Sequence, residues 1–134
     1  MALAIAAISF SSCKKDDNGG NNSTADITGA YKMTGIALVT PGGETDYLPE
    51  MDECTLDDIL RFKSDKTYTY TDAGLACVPN GDDAGEWDYK GTDSLLLDGF
   101  AVKIVSKTNS QLVLLADRSV DGFDLVFKTT YKKQ

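Results

Sequence analysis

The sequence predicts an all-β fold of about eight short antiparallel strands, and three features of residues 26–134 point to it. Apolar and polar residues alternate with period two in one segment after another. Gly, Asp, Asn and Ser gather between those segments at hairpin spacing, and no stretch keeps the 3.6-residue apolar period of an amphipathic helix. Eight such strands joined by tight turns can close on themselves and remove exposed sheet edges, so an up-and-down antiparallel barrel or strongly curved half-barrel is expected. A sandwich of two sheets is the alternative.

Composition bounds the rest. With 134 residues, 42% hydrophobic and 25% charged, the chain has the balance of a single small globular domain. Thirteen basic residues face 21 acidic ones, a net charge of -8, and no basic stripe is interleaved with aromatics, so no nucleic-acid partner is expected. The same charge opposes docking on an anionic lipid surface, so any membrane attachment has to come from an anchor.

The N-terminus supplies one. Residues 2–10 form an almost continuous apolar run, too short for the ~20 residues of a transmembrane helix but suited to the ~7–15 of a signal-peptide core. Phe10-Ser11-Ser12-Cys13 resembles the lipobox of bacterial lipoproteins, in which small residues precede a cysteine that is lipidated and becomes the new N-terminus. Phe10 stands where Leu is usual. Residues 1–12 are therefore expected to be a lipoprotein signal peptide and Cys13 to carry palmitate or a similar acyl chain. Met1 leads straight into the apolar run with no basic segment before it, so further residues are expected upstream. Residues 13–25 are charged, then rich in Gly and Asn with nothing apolar to bury, and read as a flexible tether. Lys14-Lys15-Asp16-Asp17 resembles the signal by which certain Gram-negative bacteria send lipoproteins to the outer face of the outer membrane. An envelope protein anchored in the outer membrane, periplasmic or surface-exposed, is the expectation.

Candidate strands in the domain 26–134 are 29–39, 57–63, 67–72, 86–90, 94–97, 101–107, 111–116 and 123–131. Short turns join most of them: Ser64-Asp65-Lys66, Gly91-Thr92-Asp93, Asp98-Gly99, 107–110 and 119–122. Two longer segments, 40–52 and 73–83, contain Gly and Pro and read as loops that could rim an opening.

With Cys13 assigned to the lipid, Cys54 and Cys77 remain as a pair in an exported protein and are expected to form a disulfide. A two-residue turn at Asp65-Lys66 would set them directly opposite each other. A three-residue loop would instead set Phe62 opposite Tyr68 and Leu60 opposite Tyr70, leaving the cysteines one step offset beyond the strand ends. The second register is preferred because it aligns the apolar face, and either brings the sulfurs close. The chain has no C-x-x-C spacing and no basic neighbour to activate a thiol, so the bond reads as structural.

Histidine is absent, which removes His-based acid–base catalysis, Ser-His-Asp triads and His-ligated zinc or copper. Asp52, Glu53, Asp57 and Asp58, and the run Asn80-Gly81-Asp82-Asp83, lack the spacing of a calcium loop and read as solvated loop charge. No metal, no cofactor and no enzymatic activity is expected. Tyr31, Phe62, Tyr68, Tyr70, Trp87 and Tyr89 all fall on predicted strands. They either fill a small interior for stability or line a site for a small apolar or amphipathic ligand. A binding module and a ligand-free structural or interaction domain are thus the two functional classes left open, and a monomer is expected.

Several segments resemble the small lipocalin-like domains of bacterial envelope lipoproteins. Ile27-Thr28-Gly29-Ala30-Tyr31-Lys32-Met33-Thr34 is similar to that family's first strand, with Tyr31 where Trp is commoner. Residues 54–70 resemble its central hairpin, with a leading Cys54, paired acids Asp57-Asp58, Phe62, and Thr67-Tyr68. Lys66 replaces a turn glycine there. Gly85-Glu86-Trp87 resembles its second G-x-W strand, and Thr130-Tyr131-Lys132-Lys133 its closing strand. The resemblance implies a lipocalin-like barrel anchored at the envelope, and it supplies a fold more than a function.

Overall fold

The computed structural model describes residues 26–134. The signal peptide expected over 1–12, the expected lipidation of Cys13 and the tether expected over 13–25 lie outside the described residues. Among the described residues nine strands are formed: β1 (Gly29–Thr40), β2 (Gly43–Asp46), β3 (Ile59–Phe62), β4 (Thr67–Thr71), β5 (Asp83–Lys90), β6 (Ser94–Leu97), β7 (Phe100–Lys107), β8 (Gln111–Val120) and β9 (Phe123–Lys133). All pairings are antiparallel. β1 pairs with β3 through Gly29↔Phe62 to Lys32↔Ile59 and with β9 from Tyr31↔Lys133 to Val39↔Val126. The eight strands β1-β3-β4-β5-β6-β7-β8-β9 therefore close into a barrel, and the two-sheet alternative is set aside.

Closure needs curvature, and two register shifts supply it, one in β1 between Met33 and Gly35 and one in β7 between Ile104 and Ser106. β5 changes partner along its length, pairing with β4 through 83–86 and with β6 through 87–90. Asp98-Gly99 and Asp121-Gly122 are two-residue turns in which both residues have positive φ, 51° and 84° in the first and 51° and 82° in the second. Such mirror-image turns match the twist of the flanking strands, so β8 continues to Val120, past its predicted end at 116.

The segment expected to be plain loop over 40–52 is more ordered than that. β2 folds back on the second half of β1, where the four-residue β3 does not reach, and a 3-10 turn (Leu48–Glu50) and a one-turn helix α1 (Glu53–Leu56) follow. Every side chain of β2 is exposed, so no period-two signal marked it in the sequence. The hairpin between β3 and β4 takes the preferred register, with Phe62↔Tyr68 and Leu60↔Tyr70. Lys63 N–H donates to the Thr67 carbonyl (2.9 Å), and Lys66 adopts the left-handed conformation, φ 68°. That costs a non-glycine residue about 1 kcal/mol. Local contacts offset it: the Lys66 carbonyl accepts the Trp87 amide (2.8 Å), its ammonium lies 4.2 Å from the Trp87 ring centroid, and it pairs with Asp88 (3.4 Å).

The barrel has one packed end. Ile27, two residues before β1, is buried there with Tyr31, Phe62, Trp87, Leu95, Ile104 and Leu112, and the Trp87 indole donates to the Lys63 carbonyl (3.0 Å). At the opposite end stand the β1–β2 turn, the 72–82 loop and the turns Asp98-Gly99 and Asp121-Gly122. Cys54 in α1 and Cys77 in the 72–82 loop form the expected disulfide, with a Cα separation of 5.2 Å. Among the described residues, no helix is long and apolar enough to cross a membrane.

Candidate binding cup at the open end

The β8–β9 ladder runs without a register shift, so alternation fixes which side chains face the interior. On β8 these are Leu112, Leu114, Ala116, Arg118 and Val120; across the ladder stand Tyr131, Thr129, Phe127, Leu125 and Phe123. Exposure climbs along this inner face, from 0% at Leu112 and 5% at Leu114 to 40% at Val120 and 71% at Phe123. The β6–β7 wall repeats the trend: Leu95 is fully buried, Val102 half-buried, and Phe100 is 77% exposed. The inner face is thus buried in the lower half of the barrel and exposed to water in the upper half, which forms a candidate cup. Leu75 and Val78 in the 72–82 loop are exposed at the same end. Toward β1 the cup is covered, because Tyr47 packs edge-on against Phe127 (centroids 5.2 Å) and Ile36 and Phe127 are buried.

Tyr70 and Tyr131 project from inner positions of β4 and β9. Burial, together with a hydrogen bond and charge from Asp58, holds the Tyr70 phenol well above its usual range, and burial does the same to Tyr131. The positive charge of Arg118 acts in the opposite sense on both.

The six aromatics singled out in the sequence come together in one cluster. Tyr31, Phe62 and Trp87 are buried at the packed end, with Phe62 at the centre, 6.0 Å from Tyr31 and 5.5 Å from Trp87 between ring centroids. Burial pushes the Tyr31 phenol up to about 12. Tyr68, Tyr70 and Tyr89 are half-buried against that cluster, Tyr89 5.4 Å from Trp87 and capped by the Lys66 and Lys107 ammonium groups at 5.0 and 4.8 Å. The cup residues Phe100, Ala116, Arg118, Val120 and Phe123 were not anticipated. Their parity with Leu112 and Leu114, extended to the Asp121-Gly122 turn, was the available signal.

The acidic residues divide. Asp52 and Glu53 are exposed, as the reading of solvated loop charge expects. Asp57 and Asp58 depart from it: Asp58 is buried and Asp57 partly so, because both accept backbone N–H groups of the 72–82 loop, from Leu75 (2.8 Å) and Ala73 (3.2 Å). Asp72 adds bonds from the amides of Cys77 (3.0 Å) and Gly81 (2.9 Å), so carboxylates and disulfide together fasten this loop. Asp58, Asp72 and Cys77 bring possible ligand atoms within 4.8 Å of one another, but the Cys77 sulfur is already bonded to Cys54, which leaves two carboxylates.

Asp98 makes a latch across β5. It accepts the Tyr68 hydroxyl (2.6 Å) and the Glu86 amide (2.8 Å), and it occupies the space where a side chain at position 85 would stand. Gly85→Ala is therefore expected to displace the Asp98 carboxylate. Amide hydrogen exchange should then speed up by about tenfold or more at Glu86, whose acceptor is lost, and change little at Trp87, whose acceptor is the Lys66 carbonyl. Equal exchange rates in the two proteins would show that the latch does not protect this strand.

A groove of about 350 Å³ lies outside the barrel, bordered by Lys66, Thr67, Glu86, Leu96 and Asp98. Two of its ionic groups are engaged within the protein, Lys66 with Asp88 and Asp98 with the Tyr68 hydroxyl and the Glu86 amide. The cup is the better candidate, because its apolar and cationic groups are left facing water.

Comparison with known proteins agrees with the architecture. The sequence profile of a family described as lipocalin-like domain matches residues 27–114, from the packed base to the middle of β8. No curated protein matches the chain, and no solved structure does.

Proposed function

The chain belongs to the lipocalin-like domain family, and from that premise we propose that the cup binds a small apolar or amphipathic molecule at the cell envelope, with a lipid on Cys13 anchoring the protein in the outer membrane, periplasmic or surface-exposed. The role is binding rather than catalysis. One observation carries the reading: inward-facing apolar side chains remain accessible in the upper half of a barrel whose lower half is fully packed. A protein that needed only a stable barrel gains nothing from leaving Val120, Phe123 and Phe100 in water, since each would stabilise the fold by about 1.5–3 kcal/mol if buried. Small-molecule sites are concave, mostly apolar and preformed, and the mouths of β-barrels are a recurrent place for them.

Nile red, which is neutral, tests the cup without testing charge. Saturable binding of one dye per chain is expected, and Ala116→Trp, which places an indole on the cup's inner wall above Leu114, should abolish it with little change in melting temperature. Dye binding that is absent, or indifferent to this substitution, would favour a structural or interaction domain instead. The anchor has its own test. Metabolic labelling with a palmitate analogue should mark the wild type and not Cys13→Ser, and equal labelling of both would remove Cys13 from the proposal.

A further inference from the structure

Arg118 occupies an inner position of β8, between Ala116 and Val120 and across the ladder from Leu125. Charged side chains seldom face inward unless they are paired or functional. This one is exposed, and the ion pairs among the described residues, Lys66 with Asp88 and Lys128 with Glu44, do not involve it. Its charge is felt by Tyr70 on the β4 wall and by Tyr131 on the floor. Asp58, whose charge also acts on Tyr70, is already held by that hydroxyl and by the Ala73 amide. Above Arg118 the inner face is apolar again, with Val120, Phe123 and Phe100 forming an exposed rim. The cup is thus cationic at its waist and greasy at its lip.

We propose that the cup takes an anionic amphiphile head first, with a carboxylate or similar anion paired to the Arg118 guanidinium and the apolar part resting against Phe100, Val120 and Phe123. The proposal rests on the reading of the cup as a binding site and adds the ligand's charge and orientation. A guanidinium presents a planar fork of donors that matches a carboxylate, and no ion pair among the described residues occupies this one. The net charge of -8 repels an anion at long range. Salt screens that repulsion beyond about 8 Å, so the contact itself decides.

The probe is 11-(dansylamino)undecanoate, which carries its bulky fluorophore on the tail, compared with its methyl ester and with the corresponding dansylated alkylammonium, on the full chain. The carboxylate is expected to bind about tenfold more tightly than the ester, the effect of one charge-assisted contact. Arg118→Gln should bring the two within about twofold, weakening the carboxylate several-fold more than Nile red, and Arg118→Lys should restore part of the preference. The proposal is overturned if the carboxylate binds no better than the ester or the alkylammonium in the wild type. It is also overturned if Arg118→Gln weakens Nile red and carboxylate alike, since Arg118 would then only shape the cup. Failure of Nile red to bind the wild type would remove the cup reading and this inference with it. Nile red binding without a carboxylate preference would remove this inference alone.

Discussion

Phe62→Ala should destabilise the domain by about 4 kcal/mol and lower its melting temperature by roughly 15 °C. The ring is 1% exposed and meets Tyr31, Tyr68 and Trp87 at centroid distances of 6.0, 6.4 and 5.5 Å, so its removal leaves a void that three other rings cannot easily fill. Phe123→Ala is the internal control. The same atoms are deleted from a side chain that is 71% exposed, and the expected change is within about 0.5 kcal/mol. Urea denaturation of both variants checks the contrast. A loss below about 1.5 kcal/mol for Phe62→Ala would mean that the base of the barrel relaxes around the gap, contrary to a close-packed floor.

The second large effect concerns the disulfide. Replacing Cys54 and Cys77 together by alanine should cost about 3 kcal/mol, because the bond closes a loop across a sequence separation of 23 and so restricts the unfolded chain. A drop of roughly 12 °C in melting temperature follows for a domain of this size. Most of the loss arises in the unfolded state. Amides of the 72–82 loop bonded to Asp57, Asp58 and Asp72 should therefore keep measurable exchange protection in the folded variant, because those acceptors survive the substitution. Calorimetry of oxidised and variant protein checks the first point; melting temperatures within about 3 °C of each other would contradict it.

Much of the barrel was legible because its signals are local. Phe62 facing Tyr68 and Leu60 facing Tyr70 could be read from a three-residue loop and the demand for one apolar face, and that register is the one formed. The left-handed Lys66 was the apparent obstacle. It is resolved by contacts with Trp87 and Asp88, which lie on the neighbouring strand β5 but far along the chain and leave no trace near residue 66. β2 escaped notice because all of its side chains face water, and only its backbone ladder with β1 makes it a strand. The end of β8 was missed because Asp117, Arg118 and Ser119 are polar in succession and Val120 fell within the turn expected over 119–122. A cup's wall must be wettable near its mouth, so the pattern that marks strands fades where the candidate site begins. Asp57 and Asp58 looked like surface charge because their partners, the amides of Leu75 and Ala73, are backbone groups of a distant loop with no signature in sequence.

The burial of Ile27 in the barrel's base has a mechanical consequence. The chain emerges from the domain at the end opposite the cup, so any pull from upstream acts on the base and leaves the mouth unobstructed. With an acyl chain on Cys13, the stretch from Cys13 to Ile27 could extend at most about 50 Å from the bilayer surface. In the proposed arrangement the domain would be held from its base, with the candidate cup at its far end.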